Sequence, residues 1–171
     1  MAEKPESDSL LRHTRTLLPV EKISATDHEP VLSTTNSAFQ LLYQTRAIRV
    51  LERGTGHYMG MMSGEVTGAA GVAFVPGRSS FSIPSGSVIA HELGHNMHLW
   101  HAPCGGAGGP DPMFPYPDGS TGAWGYDLDG DSLVSPETPD LMSYCGPKWI
   151  SDYHFTNALG WRLHDEGPSE A

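Results

Sequence analysis

The segment HELGHNMHLWH, residues 91–101, constrains this chain more than any other stretch. His91 and His95 stand four residues apart, so on a helix both project from one face, with Glu92 beside them. Two imidazoles placed in this way can reach one metal ion while the carboxylate serves as a base, which is the layout of a zinc hydrolase. A zinc that activates water needs a third protein ligand and an open fourth position, and His101 is the natural candidate. An unbroken helix cannot deliver it: at 1.5 Å per residue, His101 would lie roughly 15 Å beyond His91 along the axis. The chain is therefore expected to turn sharply after His95 and fold back. In a continued helix, His98 would share the His91/His95 face but lie about 10 Å along the axis, too far to join the same ion.

The segment resembles the motif of the metzincin metalloproteases, HExxHxxGxxH, in which a glycine occupies the turn. Here His98 stands at the glycine position, a departure that histidine tolerates better than most residues because it is enriched in left-handed backbone. A second resemblance lies about forty residues downstream in DLMSYC, residues 140–145. Metzincins carry a methionine-containing turn beneath the zinc, and Leu141-Met142-Ser143-Tyr144 is similar to the astacin and serralysin form, in which a tyrosine follows two places after the methionine. By position, the resemblance implies that Met142 floors the metal site and that Tyr144 approaches the zinc or the substrate carbonyl. A Met-x-Tyr alone means little, since methionine beside an aromatic is ordinary core packing. Downstream of an extended zinc motif it is informative.

The resemblance implies an α+β fold in which a mixed twisted sheet and an active-site helix precede a loop-rich C-terminal subdomain that ends in a helix. The expected organisation is one catalytic domain over 1–171, with subdomains of about 1–98 and 99–171. It also implies a secreted bacterial reprolysin-like peptidase. Cys104 follows the third ligand by three residues and Cys145 follows Met142 by three, so both leave one neighbourhood if the zinc site forms. A disulfide is then expected, and with it an oxidising, extracellular compartment. With three histidines on the zinc, thiolate ligation is not expected.

Composition agrees with a single compact domain: 171 residues with 38% hydrophobic content can bury a sizeable core. A net charge of −10 with only 10 Lys and Arg argues against nucleic acid or an anionic membrane as partner. No run approaches the roughly 20 apolar residues of a membrane span. The opening MAEKPESDS is polar and acidic, so the expectation is a chain whose signal and any pro-segment have been removed. A monomer acting on a polypeptide is expected.

Periodicity predicts a helix over 8–18, stopped by Pro19, with Leu10, Leu11, Thr14, Leu17 and Leu18 near one face. A strand is read over 20–27, and a helix over 37–53 with Phe39, Leu42, Ile48 and Leu51 as its buried stripe. Three short strands follow at 57–62, 69–75 and 79–83, after which Ser85 or Ser87 caps the helix bearing His91. The strand just before that helix, around 78–83, reads either as the edge that pairs with an extended peptide substrate or as an ordinary edge strand. Residues 102–123 are crowded with Gly and Pro and read as ordered loop. Asp127, Asp129 and Asp131 superficially suggest calcium, but Ser132 and Thr138 stand where an EF-hand needs Gly and Glu. A hairpin turn on Asp129-Gly130 is preferred, and calcium is the less favoured option. A closing helix over 152–164 places Phe155, Leu159 and Leu163 on one face. Trp149 and Tyr153 are weak candidates for a substrate-pocket wall and structural residues by default. His13, His28, His57, His154 and His164 lack ligand spacing.

The chemistry these residues imply is zinc-assisted peptide hydrolysis. His91, His95 and His101 hold one Zn2+, Glu92 takes the proton of the attacking water, and Tyr144, by resemblance, stabilises the oxyanion. Two other classes remain open: a zinc hydrolase of a non-peptide amide or ester, and a non-catalytic binding module that zinc stabilises. The retained Glu92 speaks against the module, because a structural zinc needs no general base and usually has four protein ligands.

Overall fold

The computed structural model describes residues 7–165. In chain order it contains α1 (Ser7–Leu17), α2 (Ala38–Leu51), β1 (Tyr58–Met61), β2 (Gly71–Ala73), β3 (Ser79–Ser82), α3 (Gly86–Asn96), β4 (Gly125–Asp127), β5 (Ser132–Val134) and α4 (Asp152–Asp165). The class is α+β, and the order of a small mixed sheet, a central helix, a loop-rich stretch and a closing helix is the one expected. No helix among the described residues is long and apolar enough to cross a membrane.

The sheet runs β1-β3-β2, with β1 parallel and β2 antiparallel to β3. This corrects the sequence reading in one functional respect. The strand just before α3 is the central strand, hydrogen-bonded on both sides, and so has no free edge for a peptide. Its burial agrees: Ser79, Ser80, Phe81 and Ser82 are all buried. Small serines let α3 approach the sheet closely, and the buried Asn96 Nδ2 donates to the carbonyls of Phe74 (3.0 Å) and Ser79 (3.2 Å), tying the end of α3 to the sheet.

Two apolar clusters hold the layers together. One joins α2 to the sheet through Ala38, Leu41, Leu42 and Phe81. The other gathers Leu17 at the end of α1 and the following Leu18, Ala90 and Met97 around α3, Leu99, Leu141, Met142, Ile150 and Ala158. The second cluster packs the loop-rich half of the chain against α3, burying residues 140–143 of the turn with it. Burial of this kind is worth roughly 1.5–3 kcal/mol for each large side chain.

Several local expectations fail for identifiable reasons. Residues 20–27 form no strand; no neighbouring segment pairs with them, and most are exposed. In α2 the buried face is Ala38, Leu41, Leu42 and Thr45, while Phe39 and Leu51 are exposed. In α4 the buried residues are His154 and Ala158, with Trp161 packed against the core and Phe155, Leu159 and Leu163 facing outward. The hairpin at 125–134 forms as read, with Tyr126 opposite Leu133. Its Asp127 accepts the Asp129 N–H at 3.0 Å, and Asp129 pairs with Arg12 at 3.3 Å.

Cys104 and Cys145 form a disulfide with Cα atoms 5.7 Å apart. Backbone pairing flanks it: Ala102 N–H donates to Met142 O (3.1 Å) and Tyr144 N–H donates to Cys104 O (3.0 Å). The bridge therefore fastens the 102–104 segment to the turn that carries Met142 and Tyr144. Replacing both cysteines by serine should lower stability by about 3–4 kcal/mol, the loop-closure entropy of a link spanning some forty residues. Chemical denaturation of the chelator-treated protein measures it, and an unchanged midpoint would contradict the assignment.

Candidate metal centre

Helix α3 begins at Ser85, whose extended backbone precedes the first turn; Ser85 Oγ lies 3.3 Å from Ser87 Oγ, so the two candidate capping hydroxyls engage each other. The helix ends where the motif requires it to. Met97 is the last helix-like residue, and His98 adopts φ 68°, the left-handed conformation. His98 N–H donates to His95 O and Leu99 N–H donates to Gly94 O, both at 3.0 Å, which is the hydrogen-bond pattern of a Schellman turn with His98 at its left-handed position. Leu99 is buried immediately afterwards and anchors the reversal. The His98 ring packs on Trp161 with centroids 5.0 Å apart.

The reversal brings His101 back to the helix. His91, His95 and His101 each offer one nitrogen, and these nitrogens lie within 4.8 Å of one another. The other nitrogen of each ring is committed. Nδ1 of His91 donates to Leu141 O (2.9 Å), Nδ1 of His95 to Leu99 O (2.8 Å) and Nδ1 of His101 to Gly108 O (2.7 Å). A carbonyl only accepts, so each Nδ1 carries the hydrogen and, in a neutral ring, each Nε2 presents a lone pair. Nε2 of His95 and Nε2 of His101 are 3.1 Å apart. Acceptors converging at that distance repel one another unless a cation lies between them. Tetrahedral zinc with Zn–N of about 2.0–2.1 Å would separate its nitrogens by about 3.3 Å, so the donor set fits a zinc ion.

The surroundings suit the same purpose. Met142 is fully buried beneath α3, and a Cβ on Gly94 would lie 2.7 Å from its sulfur, so glycine at that position lets the methionine seat without shifting. Tyr144 stands half exposed with its ring 5.0 Å from that of His101 and 6.0 Å from that of His91. Glu92 is buried, and its Oε2 has no hydrogen-bond partner. Strand β2 passes directly over it: a Cβ on Gly71 would lie 2.4 Å from Glu92 Oε1. Sequence reading missed Gly71, because only the fold reveals that contact. It also missed Lys148, a half-buried residue whose positive charge acts on Glu92 and on all three histidines. Trp149 packs on the core, and Tyr153 donates to Asp111 Oδ2 at 2.9 Å while its ring meets Phe114.

Burial sets the protonation behaviour of the metal-free cluster. Desolvation holds His91 well below the usual histidine range and lowers His95 to about 4; it also lowers His101. Desolvation pushes Glu92 up to about 8, partly offset by Lys148. Desolvation and the nearby Glu92 carboxylate raise the Tyr144 phenol, which keeps its proton at neutral pH. Burial lowers Lys148, against the pull of Asp140 and Glu92.

A raised carboxylate pKa means that the metal-free folded state binds a proton more tightly than the unfolded chain does. Stability is therefore lost as pH rises from about 4.5 towards about 8. In chelator-treated protein, Glu92→Gln should gain stability relative to wild type across that window, by a few kcal/mol once Glu92 is ionised, with little gain below it. Denaturation at several pH values checks this, and a difference that does not change with pH would contradict it.

Comparison with known proteins places this geometry. A Dictomallein-like protein of Hahella chejuensis is 34% identical over 79 residues, which is 45% of this chain and 12% of that protein, so the chain spans only a small part of its relative. The Peptidase M66 family model matches residues 32–149, well over half of the chain and inclusive of all three histidines. This chain belongs to the Peptidase M66 family of zinc metallopeptidases.

Proposed function

We propose that the chain is a metzincin-type zinc endopeptidase in which His91, His95 and His101 hold the metal and Glu92 is the general base. The observation that carries the reading is the convergence of three Nε2 atoms whose Nδ1 partners are all backbone carbonyls. The methionine beneath α3 and the tyrosine beside the cluster support the metzincin form in particular.

Zinc, when bound, supplies Lewis acidity that acidifies a water towards a pKa of about 7 and polarises the scissile carbonyl. Glu92 accepts the proton of the attacking water and returns it to the leaving amine. Its buried position excludes competing solvent, and the positive charge of Lys148 favours its ionised, basic form. Tyr144 keeps its phenolic hydrogen and donates it to the developing oxyanion. The substrate adds as an extended strand along β2, an edge of the three-stranded sheet and the strand that runs past Glu92. The peptidase family favours a peptide substrate over another amide or ester. The Cys104–Cys145 bridge supports action outside the cytosol, in a secreted context.

Glu92→Gln should bind zinc as wild type does while hydrolysis of an unfolded protein substrate falls by about two to four orders of magnitude. A variant that keeps most activity would sink the mechanism.

The ligand assignment is tested separately by metal analysis. His101→Ala should bind zinc far more weakly than wild type, whereas His98→Gly should keep near-wild-type affinity, because His98 supplies the turn and packs against Trp161. The opposite order would mean that the third ligand is misassigned.

A further inference from the structure

Asp140 is fully buried, yet the metal chemistry described above does not use it. Its Oδ1 accepts the Met142 N–H at 2.6 Å and His154 Nδ1–H at 2.8 Å; its Oδ2 accepts the Ser151 N–H at 2.8 Å. The His154 ring is itself buried on α4, 4.9 Å from the ring of Phe114. Three donors, one from the turn and two from the start of α4, therefore fix both oxygens of one carboxylate.

The Met142 N–H and the Leu141 C=O belong to the same peptide unit. That carbonyl is the acceptor for His91 Nδ1–H at 2.9 Å. The peptide unit is planar, so holding the N–H fixes the direction of the C=O. A carboxylate on the N–H also polarises the amide and makes the carbonyl a stronger acceptor. A stronger acceptor on Nδ1–H makes Nε2 of the same ring a better donor to a metal.

We infer that Asp140, supported by His154, is a positioning residue for His91, acting through the Leu141–Met142 peptide plane to orient Nε2 and strengthen its bond to the metal. The inference rests on the zinc-site reading given above. A purely local role would be an Asx turn, in which one side-chain oxygen meets the N–H two residues on. Asparagine performs that role equally well. It cannot reproduce the arrangement seen here, because its amide nitrogen would face the Ser151 N–H as a second donor, and it brings no charge to the Met142 N–H.

The test measures zinc dissociation constants by competition with a chromophoric chelator on the full chain with the disulfide intact. Asp140→Asn should weaken zinc binding by about 10- to 100-fold. Added to His91→Ala, the same change should cost less than about threefold, whereas added to His101→Ala it should keep most of its effect, because contact partners couple and independent sites do not. General loosening of the fold would weaken both backgrounds alike. Unchanged zinc affinity in Asp140→Asn, or equal losses in the two backgrounds, would overturn the inference and leave the ligand assignment standing. Should Asp140→Asn fail to fold by circular dichroism, His154→Gln takes its place, with a smaller loss and the same dependence on His91 expected; no loss there would overturn the inference. A wild-type chain that binds no zinc would bring down the proposed function and this inference together.

Discussion

Three imidazole N–H groups must each find a carbonyl, and the site depends on this requirement more than on any other. Leu99, Gly108 and Leu141 supply those carbonyls, and none of the three lies within a regular element. The first belongs to the reversal after α3, the second to the glycine-rich stretch, and the third to the turn at 140–144. The orientation of each ring, and so the point where the free nitrogens meet, is thus set by loop backbone. This explains why so much glycine- and proline-rich chain is ordered: it carries the acceptors, and the disulfide and the pairing of 102–104 with 142–144 hold it against the helix.

Helix α3 is the element against which everything else is aligned. The sheet holds it through Asn96, α1 packs along it, and Met142 fits under Gly94. Glycine permits two close approaches beside the cluster, at Gly94 on the helix and at Gly71 on β2, where an added Cβ would lie 2.7 Å from Met142 sulfur and 2.4 Å from Glu92 Oε1. Burial then gives the site its electrostatic character. Metal-free, it keeps its histidines neutral, with lone pairs free for a cation, and its carboxylate protonated up to unusually high pH.

Much of the site was legible in residues 91–101 because its constraints are local. Helix period puts His91 and His95 on one face, and the impossibility of reaching His101 along a straight helix demands a reversal, which the left-handed His98 provides. The disulfide was legible once the two segments bearing Cys104 and Cys145 were expected at one place. What was not legible depends on tertiary partners. Which strand forms an edge is decided by pairing order, and β3 proved central. The inward faces of α2 and α4 include Thr45 and His154 and leave out Phe39 and Leu159, because the side on which each helix docks, and not apolar character alone, decides what is buried. Asp140 stood in plain view beside Met142, but its reach to Ser151 and His154 exists only after α4 has docked.

The central claim is that His91, His95 and His101 present their Nε2 atoms to one ion. A crystal structure of the zinc-loaded protein, with anomalous scattering recorded at the zinc edge, tests it most directly. The account predicts one strong peak about 2.0–2.1 Å from Nε2 of all three histidines, with Glu92 outside the coordination sphere. A peak bound through Nδ1, shared with His98 or with Glu92, or lying elsewhere on the chain would contradict it.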